Sequence, residues 1–224
     1  MIYVCEYKKA DNRTKQQERC PSLRNREQQT ARLLLDAALK QEFGVCLRDL
    51  DWKTGANGKP YSGKYPQIHF NISHCACACA CAVGLQEVGV DIERLFDYRD
   101  GLAKKVSHET EVAVLQHMTE AQRECQLRYL WSLKESFVKW NGRGLGYGVD
   151  RISFAQQLPF MPEDGQSLIF DWKQPDTCTK SRLKFLLWRG AAYTLCACAE
   201  TFDLTVKYIQ EEELHDGKTD EAGI

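Results

Sequence analysis

The stretch His69-Phe70-Asn71-Ile72-Ser73-His74-Cys75-Ala76-Cys77-Ala78-Cys79-Ala80-Cys81-Ala82, continued after a short turn by Val88-Gly89-Val90-Asp91-Ile92-Glu93-Arg94, decides how this chain is read. Apolar residues alternate through both segments, which is the pattern of half-buried strands. In such a strand residues i and i+2 share a face, so Asp91 and Glu93 stand side by side with backbones about 6.5 to 7 Å apart. Two like charges on one half-buried face repel, and a hard cation held by oxygens relieves the repulsion. Ser73 and His74 end the preceding strand, where a hydroxyl and an imidazolium can both donate to an anion. The residues around Leu85-Gln86 predict an antiparallel pair of Cys77–Gly84 with Glu87–Glu93.

Working outward, Ile2–Tyr7 reads as a first strand and Glu27–Phe43 as a helix burying Ala31, Leu34, Leu35, Ala38 and Leu39, ended by Gly44. Arg24 and Arg26 precede this helix and Arg32 lies within it. Residues 53–65 form a turn-rich loop in which Gly58-Lys59-Pro60 presents a lysine from a constrained backbone. Ser107–His117 and Thr119–Trp140 read as helices, with Thr119 and Gln122 as a capping box. The second helix buries Leu127, Leu130, Leu133, Phe137 and Trp140, while Arg128, Ser132, Glu135 and Lys139 share another face. Strands are expected near Arg151–Ala155, Gln166–Trp172 and Lys184–Trp188, followed by a terminal pair, Ala192–Ala199 with Phe202–Gln210.

That terminal pair repeats the earlier Cys-Ala pattern. Cys79-Ala80-Cys81-Ala82 precedes Glu93 by the same interval that separates Cys196-Ala197-Cys198-Ala199 from Gln210, so Asp91 aligns with Tyr208 and Glu93 with Gln210. The expectation is an α+β, pseudo-twofold duplicated fold, each half a small antiparallel sheet packed with helices, with only the first copy keeping its acids. The halves are residues 1–103 and 104–212, followed by an acidic, frayed tail at 213–224.

Composition narrows the classes. The chain has 224 residues, 43% hydrophobic and 27% charged, as in ordinary soluble domains. A net charge of −1 gives no global reason to expect nucleic acid. No apolar run is long enough to span a bilayer and no signal peptide is evident, so a cytoplasmic protein without membrane attachment is expected. The 11 cysteines are then expected to be reduced, and their alternation with alanine points to tight strand packing rather than zinc knuckles. Charge is uneven: eight Lys or Arg against three acids lie between Lys8 and Arg32, and six acids against Lys218 alone lie between Gln210 and Ile224.

Three pieces now stand in order: Phe70-Asn71-Ile72-Ser73-His74, Gly89-Val90-Asp91-Ile92-Glu93 and Trp131-Ser132-Leu133-Lys134-Glu135-Ser136-Phe137-Val138-Lys139. Together with Gly58-Lys59-Pro60 they resemble the longer, surfactin-synthetase-activating (Sfp-type) 4′-phosphopantetheinyl transferases, over roughly residues 58–146. The resemblance implies transfer of the phosphopantetheine arm of coenzyme A to a serine of an acyl, peptidyl or polyketide carrier protein, releasing adenosine 3′,5′-bisphosphate. It implies Asp91, Glu93 and Glu135 as ligands of Mg²⁺, with Mn²⁺ as a substitute, and Glu135 and Lys139 as the catalytic pair. It implies Ser73 and His74 at the 3′-phosphate and Lys59 at the nucleotide end of coenzyme A; Arg24, Arg26 and Arg32 are added to that site from charge and position alone. Loss of acids from the second copy implies one active site per chain and a monomer that is itself a pseudo-dimer. A metal-dependent nuclease or phosphohydrolase is the alternative reading of the same acids and lysine, and a non-catalytic coenzyme A or carrier-binding module is a third.

Overall fold

The computed structural model describes residues 1–7, 21–95, 100–173, 182–201 and 205–216. The basic run at 8–20 and the tail beyond 216 lie outside the described residues. The fold is mixed α+β. One sheet contains β1 (Ile2–Glu6), β4 (His69–His74), β5 (Ala78–Gly84) and β10 (Val206–Tyr208), in the order β10-β1-β5-β4. The other contains β6 (Val88–Arg94), β7 (Ser167–Trp172), β8 (Leu183–Arg189) and β9 (Tyr193–Ala199), in the order β6-β9-β8-β7. A two-stranded ribbon, β2 (Trp52–Thr54) with β3 (Pro60–Ser62), stands apart. Pairing is antiparallel except between β1 and β10, which run parallel.

The alternation of cysteine and alanine has a packing reason. Ala78, Ala80 and Ala82 of β5 lie in one cluster with Ala197 and Ala199 of β9 and with Val88, Val90 and Ile92 of β6. Small side chains on facing strands let the two sheets interdigitate closely. The opposite face of β5 puts Cys79 and Cys81 against Ala31, Leu34, Leu35 and Leu39 of α1 (Pro21–Phe43). On β9 the corresponding face puts Cys196 and Cys198 against Leu130, Leu133 and Phe137 of α4 (Glu120–Asn141). The layers are therefore helix, sheet, sheet, helix, with thiols as small apolar spacers beneath each helix.

This stacking corrects both expected hairpins. β5 pairs with β1 and β4, whereas β6 crosses to pair with β9. Likewise β9 does not pair with β10, which joins β1 in the first sheet. β6 thus lies in the sheet of β7, β8 and β9, and β10 in the sheet of β1, β4 and β5, with the apolar inner faces of the two sheets meeting in one cluster. Residues 151–155 are not a strand either: Val149–Arg151 is a 3-10 turn, and Ile152 and Phe154 enter the core beside α4.

Helix α1 starts at Pro21, earlier than the expected Glu27, consistent with proline's tolerance in a first turn. Two short helices, α2 (Asp100–Val106) and α3 (Glu109–Leu115), precede α4; α2 was not expected. The Thr119–Gln122 capping box forms as expected, and Gly142 ends α4 at φ 67°. The acidic segment after Gln210 is not wholly frayed, since Glu211–Asp216 forms α5 with Glu211 paired to Arg26 at 2.9 Å.

Candidate active site

β6 lies across α4 with the face that carries Gly89, Asp91 and Glu93 turned to the helix. The approach is so close that a Cβ on Gly89 would lie 2.0 Å from the Ser136 carbonyl oxygen and 2.7 Å from the Trp140 amide nitrogen. That contact explains the glycine two positions before the aspartate: without a side chain there, the carboxylates meet Glu135 and Lys139 on α4. The free edge of β6 is closed by β4, where Asn71 Oδ1 accepts from the Val90 amide at 3.2 Å.

At the centre, Lys139 Nζ donates to Asp91 Oδ1 at 2.7 Å and to Ser73 Oγ at 2.8 Å, and Ser73 Oγ donates to the same Asp91 oxygen at 3.2 Å. Glu93 Oε1 accepts from the Trp131 indole at 3.2 Å. Asp91 Oδ2 and Glu135 Oε1 are buried without a hydrogen-bond partner among the described residues. Burial, with the Asp91 charge adding to it, pushes the Glu93 carboxyl up to about 7. The Glu135 carboxyl is raised for the same two reasons, in the same order. Two orphaned carboxylate oxygens and mutual repulsion among three acids are what a site for a hard cation presents before the cation binds. Among the described residues no three acid, histidine or cysteine side chains are grouped as a ready ligand set; Lys139 holds one oxygen of Asp91 and Trp131 one oxygen of Glu93.

The remaining predicted residues separate into distinct places. Strand alternation turns His74 away from Ser73, towards α1, where His74 Nδ1 lies 3.7 Å from Glu27. His74 and Arg24 line one cleft together with Glu93, so this arginine joins the site. Burial first, then the charges of Lys139 and Arg24, hold the His74 imidazole below its usual pKa. Arg26 pairs instead with Glu211 of α5. Arg32 lies over the Trp52 ring, 5.8 Å from its centroid, and does not converge with the others. Lys59 donates to the Trp140 carbonyl at 2.7 Å and pairs with Glu87, pinning the ribbon to the C-terminal end of α4. Lys59 also lines a small cleft with Asn71, Glu135 and Lys139.

Three contributors were not singled out from sequence. Trp131 orients Glu93, and its place four residues before Glu135 was the available signal. Asn71 guards the β6 edge from within the Phe70–His74 segment. Lys134 is fully buried and paired with Glu111 at 2.6 Å, while donating to the Val106 carbonyl at 2.6 Å. Glu111 in turn accepts from the Phe154 and His108 amides, each at 2.7 Å. Such a pair survives burial only because every polar atom in it finds a partner, and it anchors α4 to the α2–α3 junction.

Comparison with known proteins identifies a family. The family model described as the 4′-phosphopantetheinyl transferase superfamily matches residues 87–198, half of the chain. The chain is 29% identical over 183 residues to "4′-phosphopantetheinyl transferase Sfp" of Bacillus subtilis (strain 168), covering 81% of this chain and 78% of that protein. It is 32% identical over 121 residues to a second Bacillus subtilis 4′-phosphopantetheinyl transferase, covering 54% of each. A yeast L-aminoadipate-semialdehyde dehydrogenase-phosphopantetheinyl transferase is 30% identical over 137 residues, covering 56% of this chain and 49% of that protein. The nuclease or phosphohydrolase alternative draws no support from these relatives. The matched region carries Gly89, Asp91, Glu93, Glu135 and Lys139 together, and the chain belongs to the 4′-phosphopantetheinyl transferase superfamily.

Proposed function

We propose that this protein transfers the 4′-phosphopantetheine group of coenzyme A to a serine hydroxyl of an acyl, peptidyl or polyketide carrier protein. The observation that carries the reading is the meeting, on one strand and one helix, of buried Asp91 and half-buried Glu93 and Glu135 with a lysine, beside a cleft containing His74 and Arg24. Asp91, Glu93 and Glu135 would hold Mg²⁺, and oxygen donors alone suit such a hard ion. When bound, that ion supplies charge neutralisation to the diphosphate.

Glu135, whose carboxyl is raised by burial, is suited to accept the serine proton, directly or through water. The serine oxygen forms a bond to the phosphorus that carries pantetheine as the bond from that phosphorus to the bridging oxygen breaks. Adenosine 3′,5′-bisphosphate leaves, and Lys139 donates to the departing oxygen, giving up part of its present contact with Asp91. His74, Arg24 and the N-terminal turn of α1 are suited to the 3′-phosphate. Ser73 then serves Asp91 and Lys139 more directly than it serves that phosphate.

In the same reading, residues 1–103 and 104–212 are related halves acting as one monomeric unit with one active site, in the cytoplasm. Among the described residues no helix is long and apolar enough to cross a membrane. Intact-mass spectrometry of a panel of apo-carrier proteins incubated with coenzyme A and Mg²⁺ tests the reading. A carrier should gain one phosphopantetheine on serine; no gain across fatty-acid, polyketide and peptide carriers would overturn it.

A further inference from the structure

On the neighbouring face of α4, outside the acid cluster, lies a cavity of about 620 Å³, within the range of sites for small organic ligands. Phe137 centres its wall, with ring centroids 5.6 Å from Trp140, 5.9 Å from Tyr147 and 5.3 Å from Trp172, and Phe70 faces them from β4. None of Asp91, Glu93, Glu135 or Lys139 lines it, although Lys59 and Gly142 stand between it and the small cleft that holds Glu135 and Lys139.

Its polar groups are unbalanced. The charge of Lys59 is matched by Glu87, whose other oxygen lies 3.2 Å from His69 Nδ1. Arg143 also lines the cavity and stacks over Tyr147 at 5.4 Å, yet it forms no ion pair among the described residues. It also borders a second, polar cleft, but Glu109 and Asp150 of that cleft do not pair with it. The Trp140 ring lines the same wall, with its indole Nε1 buried away from solvent.

We propose that this aromatic cavity is a second ligand site, distinct from the metal and nucleotide site, for a small amphipathic monoanion: an apolar aliphatic or aromatic body with a single anionic head. The body lies against Phe70, Phe137 and Trp172, and the head accepts from the Arg143 guanidinium. Charge complementarity favours one negative charge, because Arg143 is the cation that remains unmatched.

Fluorescence titration with anilinonaphthalene sulfonate, and with its neutral counterpart N-phenylnaphthylamine, tests the assignment on the whole chain. The sulfonate should fill one saturable site per chain and remain bound at saturating coenzyme A. Arg143→Gln should weaken the sulfonate about 10-fold or more, the scale of a lost charge-assisted hydrogen bond. Arg143→Gln should leave the neutral probe's affinity and the rate of carrier modification unchanged. Unchanged sulfonate affinity in Arg143→Gln, several sites per chain, or displacement by coenzyme A would overturn the proposal. Arg143 is at the surface, so its replacement should leave the fold intact.

Discussion

Replacing Gly89 with alanine tests how the site is assembled. The added methyl would sit 2.0 Å from the Ser136 carbonyl oxygen, 2.7 Å from the Trp140 amide and 2.9 Å from the Trp140 Cβ. The first distance is about 1.4 Å inside the shortest ordinary contact, and the obstructing atoms are mainly helix backbone, which cannot rotate away. Overpacking of this kind costs about 1 to 3 kcal/mol, and a clash against the backbone of α4 belongs at the upper end. At about 2 to 4 °C per kcal/mol for a chain of this size, Gly89→Ala should lower Tm by roughly 6 to 12 °C. The same displacement moves Asp91 and Glu93 away from Glu135 and Lys139, and about 1 Å of misplacement is worth on the order of 100-fold in rate. Gly101→Ala in α2, where an added Cβ meets nothing within 4 Å, is the control and should be neutral or stabilising by up to about 1 kcal/mol. Thermal melts and carrier-modification rates measure both effects. Wild-type stability and rate in Gly89→Ala would refute the argument that close approach of β6 to α4 builds the site.

Asp91→Ala and Glu135→Ala should abolish Mg²⁺-dependent carrier modification while retaining a cooperative melt, and Glu93→Gln should be milder; full activity in Asp91→Ala would show that the site is misassigned. His74→Ala should weaken coenzyme A by roughly 10- to 150-fold and 3′-dephospho-coenzyme A far less, as a charge-assisted hydrogen bond of about 1.5 to 3 kcal/mol requires. Because burial, Lys139 and Arg24 hold the imidazole below its usual pKa, affinity should rise as pH falls through that lowered value and be lost above it; equal losses on both ligands would place His74 away from the 3′-phosphate. Native protein should expose Cys46, Cys77 and Cys125 to a thiol reagent far faster than the buried Cys79, Cys81, Cys196 and Cys198, whose thiols are pushed up, Cys79 by its hydrogen bond with Cys5 and then burial, the other three by burial. Zinc bound stoichiometrically to freshly purified protein would contradict the packing explanation for these cysteines.

The acids were legible because a period of two on a strand and of four on a helix are local geometry: Asp91 with Glu93, and Glu135 with Lys139, follow from spacing alone. The capping box at Thr119 was legible for the same reason. What spacing did not reveal was partnership over long range. The turn at Leu85-Gln86 reads as a hairpin, and only the stacking of two alanine faces, one from β5 and one from β9, explains why β6 crosses to the other sheet. Arg24, Arg26 and Arg32 looked alike as a basic group. A helix turns them to different sides, and their fates depend on Glu211, Trp52 and His74, which are distant in sequence. The pairing of Glu111 with buried Lys134 carried no sequence signal, since the two are 23 residues apart and meet only in the fold.

In the proposed reaction one catalytic event joins phosphopantetheine to the carrier serine and frees the nucleotide, with Glu135 taking the proton. Rapid-quench sampling of one reaction, with adenosine 3′,5′-bisphosphate measured by chromatography and carrier mass by spectrometry, tests this most directly. The two products should appear at equal rates in a 1:1 ratio that requires Mg²⁺, and Glu135→Gln should slow both together. Nucleotide release without carrier modification, or modification that persists undiminished in Glu135→Gln or without divalent metal, would contradict the mechanism.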